Sequence, residues 1–530
     1  MGVASCTGEV SREDKHTYEQ SSRKQLKHSE YTIDDKVLRC EYTYTDDGRL
    51  ATEVMKNGDV QLDRKSYQYL TNGSHKTDLV EKIVYRDSAE NTYEYAYDHH
   101  GNITEIKKNG ALQAKYYYDE DDRLVWESNL AFNETYCYTY RKNGDRVQKS
   151  IHNLCWVLYG ESSAKETIGM QYTDDKLTTV SGEAIEYDEV GNPVRYLGKT
   201  LAWSHGRRLM SYDGVAFEYD EQGRRTKKGE IEFINDHTGR VLKSSNGLQY
   251  YYDGTGAVGL SCNGNLYAFR KDLVGNIIAV LDSNANVVVH YEYDAWGNHK
   301  VLDANGIEIA DSTHIGNINP FRYRGYFYDT ETGLYYLKSR YYDPQTGRFI
   351  NMDGVEYADP SFLNGLNLYA YCNNNPVMYV DPNGTFFAWI SRNIASSIAA
   401  AAIVADYVFV HILGKENYED APSEETKEQV LSTGVTVYFN YYDDGSGVKV
   451  YNSYSLTSEE RWEFLRYLQK EHPEANLERM NNEWVWHNIA YQFHYQQAST
   501  ASVDLNWAGY DKGHNLASWV MNNVQIFQRW

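Results

Sequence analysis

The 530-residue sequence predicts a mainly β chain that ends in a small α+β domain. Tyrosine is the outlier of its composition at 50 residues, while proline is scarce at 8, and Pro193 stands alone before Pro320. Tyrosine favours strands and proline interrupts their hydrogen-bond ladders, so residues 1–319 read as sheet. Within them a short unit recurs: an aromatic residue and Asp, two or three polar residues, then Gly with Asn or Arg and an apolar residue. After residue 384 the composition shifts, and seven of the eleven tryptophans fall in residues 385–530.

The unit appears as Tyr97-Asp98-His99-His100-Gly101-Asn102-Ile103, and again as Tyr118-Asp119 running to Arg123-Leu124. Later copies begin at Tyr187-Asp188, Tyr219-Asp220, Tyr252-Asp253 and Tyr293-Asp294, with a related copy at Thr45-Asp46-Asp47-Gly48-Arg49-Leu50. The aspartate accepts Asx-type turn bonds and the glycine takes positive φ, so each copy predicts a hairpin turn. Flanking runs such as residues 93–97 alternate with period two, as strands do. The Asp98–Asp119 spacing allows one hairpin per repeat, with successive hairpins covering each other's edges. The tyrosines are expected to pack strand against strand, although exposed tyrosine faces also suit carbohydrate.

Residues 320–384 hold five of the eight prolines and a dense series of short motifs. In order these are Arg322-Tyr323-Arg324-Gly325, Tyr328-Asp329, Thr332-Gly333-Leu334-Tyr335-Tyr336, Ser339-Arg340-Tyr341-Tyr342-Asp343-Pro344, Gly347-Arg348-Phe349, Asn374-Asn375-Pro376 and Asp381-Pro382-Asn383-Gly384. The stretch closely resembles the core-associated segment of the RHS/YD-repeat family. The resemblance fades upstream into the repeat pattern and stops near Thr385. It implies a β-sheet strip that spirals into a hollow shell. The copies are fewer than such shells usually use, which implies an incomplete shell or the terminal part of a longer protein.

The resemblance also implies a self-cleavage site. Related proteins cut their own chain just after this segment with two aspartates brought together. Two carboxylates about 3 Å apart cannot both ionise, so one keeps a proton while the other activates water. By position these are Asp353 and Asp381, with Arg348 and Arg340 as the groups that hold the scissile segment or tune the pair. The cut is expected just after Gly384, near Thr385 to Phe387. Where many relatives have Asp-Pro-x-Gly at the first aspartate, Asp353 is followed by Gly354, and Asp359-Pro360 lies close enough to compete. Asp343 is expected to be a turn residue.

Other features set limits. The net charge of −23 argues against duplex binding by the repeat region, which would need cations to displace counterions. Six scattered cysteines without a C-x-x-C pair support neither a zinc site nor a dense disulfide framework. The first sixteen residues lack an apolar core, so no classical signal peptide is visible.

In the tail, residues 385–414 read as a hydrophobic helix. The stretch 386–413 is long enough to span a bilayer, but Arg392 and Asp406 favour a buried or amphipathic helix instead. Residues 417–428 read as a linker and 430–530 as an α+β domain. Residues 435–442 and 448–454 flank Asp443-Asp444-Gly445-Ser446-Gly447, a hairpin signal, and Thr457-Ser458-Glu459-Glu460 opens a helix that ends before Pro473. A second helix covers 474–496 and places Glu483 and His487 on one face, four residues apart. With Asp511 and His514 they form a candidate hydrolase or nuclease constellation. It matches no standard metal or nucleophile spacing, and neither cofactor nor metal is called for.

By resemblance, the variable tail is a toxin carried by the shell and released for competition between bacteria. A cognate immunity protein, a secretion machinery, and a secreted or cell-surface location are implied. The rival reading is a non-enzymatic surface or wall-associated repeat protein that binds carbohydrate.

Overall fold

A computed structural model describes residues 12–18, 25–33, 36–72, 75–86, 90–236, 238–253, 256–353, 367–381, 384, 388–389, 427–433, 436–441, 448–450, 463–467, 470 and 503–504. The chain divides into two compact units, Met1–Ala402 and Ile403–Trp530, so the division falls after the residue 384 boundary drawn from composition.

The first unit holds two long antiparallel sheets of fifteen and fourteen strands, and in each the strand order is the chain order. One runs from Arg12–Tyr18 to Glu183–Ala184 and the other from Glu186–Tyr187 to His299–Leu302. Neither sheet closes on itself. The expected strip of hairpins is therefore present, as two open sheets.

The repeat unit explains the strip at atomic level. Asp98 Oδ1 accepts the backbone N–H of His100 and of Asn102, each at 2.9 Å, while its Oδ2 accepts Asn102 Nδ2 at 3.0 Å. Gly101 completes the turn at φ +91°, a conformation that costs glycine little. Asp272 with Asn276 and Asp294 with Asn298 repeat this arrangement. At Asp119 and Asp220 an arginine replaces the asparagine, and its Nε meets the same carboxylate oxygen at 2.8 and 2.6 Å. Asn and Arg alternate in the motif because each delivers an N–H to that oxygen.

Several tyrosines of the strip fasten an earlier turn. Tyr118 Oη donates to Ile103 O, Tyr140 Oη to Leu124 O and Tyr293 Oη to Ile277 O, each at 2.7 Å. Each acceptor is the first residue after an earlier Asp-centred turn. These phenols are committed to packing, in line with the structural reading of the tyrosines. The structure adds copies whose leading residue is not aromatic, at Asp236, Asp282 and Asp303, where the same backbone bonds form. Asp253 departs from the pattern: its carboxylate accepts Tyr42 Oη, at 3.0 Å, from the other sheet.

Residues 320–384 bind the two sheets together. Phe327–Asp329, Leu334–Tyr336, Tyr341–Asp343 and Arg348–Phe349 form a four-stranded antiparallel sheet. Asp329 takes both terminal nitrogens of Arg225 at 2.6 and 3.0 Å, tying this sheet to the second long one. Asn375 Nδ2 donates to Asn102 Oδ1 and Asp122 O, and Asn374 Nδ2 to Gly144 O, tying it to the first. Tyr323, Tyr335, Tyr342 and Tyr371 are fully buried at its centre.

In the second unit Lys427–Val430, Thr436–Tyr441, Val448–Val450 and Val503–Asp504 pair in order as an antiparallel sheet. The expected hairpin is seen in the pairing of Phe439 with Val450 and Tyr441 with Val448. Lys427–Val430 begins inside the stretch read as linker: its backbone pairs with Thr436–Tyr441, and the polar sequence suits an edge strand as well as a loop. Residues 463–467 are helical, with Phe464 and Leu465 buried and Glu463 accepting Ser432 N–H and Oγ. Among the described residues no helix is long and apolar enough to cross a membrane.

Candidate self-cleavage site

The site is assembled by three pieces of residues 320–384. Leu334–Tyr336 leads into a tight turn whose last residue, Arg340, starts toward the strand Tyr341–Asp343. Asp353 follows the short strand Arg348–Phe349, and its N–H is held by Leu368 O at 3.0 Å. Asp381 follows Tyr379–Val380, which pairs with Ala388–Trp389, so Gly384 lies in the loop of this hairpin.

Arg340 joins the pieces. Its Nη2 sits 2.9 Å from Asp353 Oδ2 and 3.1 Å from Asp381 Oδ2. Nη1 donates to Leu368 O at 3.0 Å, and Nε donates to Gly384 O. Phe349 lies under the guanidinium, 3.5 Å from its carbon to the ring centroid. Asp353, Asp381 and Arg340 are 6 %, 2 % and 4 % exposed, so these charges interact with little screening by solvent.

Asp381 is fixed further. Its Oδ1 accepts Gly384 N–H at 2.7 Å, and its own N–H donates to Tyr326 Oη at 3.0 Å. Tyr326 Oη is in turn 3.2 Å from Tyr371 Oη. Burial pushes the Tyr326 and Cys372 hydroxyl and thiol well up, with the Asp381 charge adding to each, so both stay neutral.

The structure thus brings Asp353, Asp381 and Arg340 together at the carbonyl after which the cut is expected. Sequence reasoning anticipated two aspartates sharing one proton. Arg340 Nη2 lies within 3.1 Å of both carboxylates. Arg348 is placed elsewhere: it donates to Asp145 Oδ1 at 3.1 Å and to Asp175 O at 2.8 Å. It anchors the segment to the first sheet. Asp343 is buried as a turn residue, accepting Gln345 N–H, Tyr196 Oη and Thr346 Oγ1. Asp359, and the tail candidates Glu483, His487, Asp511 and His514, lie outside the described residues. Sequence reasoning missed Ser339, whose Oγ donates to Gly384 O at 2.7 Å, and Tyr326. Ser339 stands in a quoted motif and Tyr326 directly follows one, but nothing in the spacing places them against Gly384 or Asp381.

The Teneurin YD-shell family model matches residues 242–377. The chain is also 32% identical over 275 residues to the tRNA nuclease WapA of Bacillus subtilis strain 168. Its repeat region is similar to RHS/YD-repeat proteins. That WapA match covers 48% of this chain and 11% of the relative. The tRNA3(Ser)-specific nuclease WapA of Bacillus spizizenii gives 32% over 280 residues, with the same two shares. The double-stranded DNA deaminase toxin A of Burkholderia cenocepacia is 38% identical over 120 residues, 22% of this chain and 8% of that one. The chain therefore spans about a tenth of the length of these three curated relatives. Among solved structures, the TcdB2–TccC3–Cdc42 crystal structure superposes with a TM-score of 0.53 at 20% identity, covering 74% of this chain and 21% of that one. The Photorhabdus luminescens Tc holotoxin pore gives 0.52 at 19%, covering 70% and 20%. These likenesses establish the fold.

Proposed function

We propose that this chain is an RHS-type toxin protein whose repeat sheets enclose a C-terminal effector and release it by aspartate-dependent self-cleavage after Gly384. One observation carries the reading: Arg340 touches Asp353, Asp381 and the Gly384 carbonyl oxygen at once. The chemistry needs a base for water and a charge beside the carbonyl. One of the two carboxylates takes a proton from water, the water oxygen bonds to the Gly384 carbonyl carbon, and the same carboxyl returns the proton to the departing Thr385 nitrogen. Arg340 keeps the other carboxylate charged and faces the oxygen on which negative charge gathers.

The relatives support an effector whose chemistry varies, since two of them are nucleases of tRNA and one a deaminase of DNA. For this chain the effector is residues 385–530, active in competition between bacteria, with a cognate immunity protein as partner and a secreted or cell-surface location. Its catalytic groups are proposed to be Glu483, His487, Asp511 and His514.

A second reading is an uncut surface repeat protein in which the same residues are a clamp. It is favoured by the Asp381 bond to Gly384 N–H and by the pairing of Ala388–Trp389 with Tyr379–Val380, both of which hold an intact chain. Denaturing electrophoresis separates the two. Self-cleavage predicts a tail fragment from the wild type and full-length chains from Asp353→Asn and Asp381→Asn. Full-length wild type selects the clamp.

A further inference from the structure

Two donors converge on the Gly384 carbonyl oxygen, and one of them plays no part in the contacts with the aspartates described above. Ser339 Oγ donates to this oxygen at 2.7 Å, beside the Nε of Arg340. Both come from the turn over residues 337–340. Leu337 N–H to Arg340 O at 2.9 Å and Ser339 N–H to Leu337 O at 2.8 Å close it, with Lys338 at φ +65°. A non-glycine residue in that conformation is uncommon and is held by its surroundings. The donors are thus presented by backbone fixed before any chemistry begins.

The same turn reads the residue whose carbonyl it holds. Gly384 adopts φ +74°, and a Cβ there would lie 2.8 Å from Ser339 Oγ, 2.9 Å from Leu337 O and 3.2 Å from Arg340 N. Two of these atoms are backbone and cannot swing away. Seating the carbonyl between Ser339 and Arg340 therefore leaves no room for a side chain at 384.

We infer, resting on the self-cleavage reading, that the 337–340 turn is an oxyanion seat in which Ser339 is a catalytic residue and glycine is required at 384. As the water oxygen bonds to the carbonyl carbon, the C=O π pair moves onto oxygen and the water's proton passes to a carboxylate. The Ser339 hydroxyl and Arg340 N–H then face a full negative charge, and their bonds strengthen where a ground-state carbonyl would gain less. When the pair returns, the C–N bond to Thr385 breaks and its nitrogen takes the proton from the carboxyl. The products are a Gly384 carboxylate and a free amino group on Thr385. Asp353 and Asp381 manage the proton, while Ser339 manages the charge on oxygen.

The test follows self-cleavage of the full chain after a pulse of labelled synthesis, in the wild type, Ser339→Ala, Ser339→Thr, Gly384→Ala and Asp381→Asn. Removal of one such donor should slow Ser339→Ala about 100-fold, whereas Ser339→Thr, which keeps the hydroxyl, should stay within about tenfold of wild type. Gly384→Ala should remain uncut. A wild-type rate in Ser339→Ala, or Ser339→Thr as slow as Ser339→Ala, would overturn the serine's role. Wild-type cutting in Gly384→Ala would overturn the glycine requirement. Either result, with Asp381→Asn still uncut, leaves the aspartate reading standing. A wild type that never cuts removes both.

Discussion

Arg340 shows how one side chain can specify a site. Its three nitrogens meet four acceptors on three separated pieces of chain. Lysine offers one point charge where the planar fork is needed, so Arg340→Lys is expected to lower the self-cleavage rate by at least about 100-fold. Pulse-labelled synthesis measures this, and near wild-type cutting would show that charge alone suffices. Glu127 is a second informative residue. It lies buried in the strand Leu124–Asn129, accepting Tyr138 Oη, Asn129 Nδ2 and Ala295 N–H. Burial, with the Asp294 charge adding to it, pushes its carboxyl up to about 8. The folded chain therefore holds a proton that the unfolded chain releases at an ordinary carboxylate pKa. The resulting stability is complete at acid pH and is lost as the pH rises through about 8. Melting curves should show Glu127→Gln matching the wild type near pH 5 and exceeding it near pH 8.5, by an amount on the order of 2 kcal/mol. Parallel curves at both pH values would contradict the assignment.

At the scale of the element, the Asp-centred turn was legible because its chemistry is local. Asp, Gly and Asn or Arg sit at fixed offsets, and the bonds made by Asp98 are those the spacing requires. The copies at Asp236, Asp282 and Asp303 lack the leading aromatic that marks the unit in sequence, whereas the turn itself needs only the aspartate. The bond that Tyr118, Tyr140 and Tyr293 make to the carbonyl after an earlier turn is a relation between repeats and cannot be read from one copy. Glycine positions differ for the same reason. A Cβ at Gly101 would meet nothing within 4 Å, while at Gly297 it would lie 2.7 Å from the Tyr323 ring. Gly101→Ala should cost about 1 kcal/mol from its backbone alone, and Gly297→Ala several times more from overpacking against a buried ring. Chemical denaturation of the two variants measures the difference, and equal losses would mean that the Tyr323 ring yields freely. The candidate site lies between these cases. Asp353, Asp381 and Arg340 were recognisable by resemblance to family motifs. Ser339 and the displacement of Arg348 to Asp145 depend on how distant strands meet, which no spacing encodes.

For the molecule as a whole, the segment from 320 to 384 ties the candidate site to the assembly of the sheets. Asp329 receives Arg225 from the second sheet and also lies 3.3 Å from Lys228 Nζ, all buried. Asp329→Asn would leave the buried Arg225 short of its counter-charge, while Lys228 keeps Glu331 at 2.6 Å, and a loss of about 3–5 kcal/mol is expected in denaturant unfolding. Because Asp329 opens the hairpin that leads to the 337–340 turn, this variant should also cut more slowly than the wild type. Unchanged cutting in a destabilised chain would show that the site folds independently of that clamp. The clamps to the first sheet, through Asn374, Asn375 and Arg348, act on the other flank of the site. On this account the aspartates meet only once both sheets are in place, so any cut waits on their folding.

The most direct test of self-cleavage is the intact mass of the purified chain under denaturing conditions, for the wild type and Asp381→Asn. The account predicts two wild-type fragments whose masses place the cut at the Gly384–Thr385 bond, and a single Asp381→Asn species of 61.2 kDa. A single wild-type species of that same mass would contradict it and leave the bridged aspartates as a structural clamp.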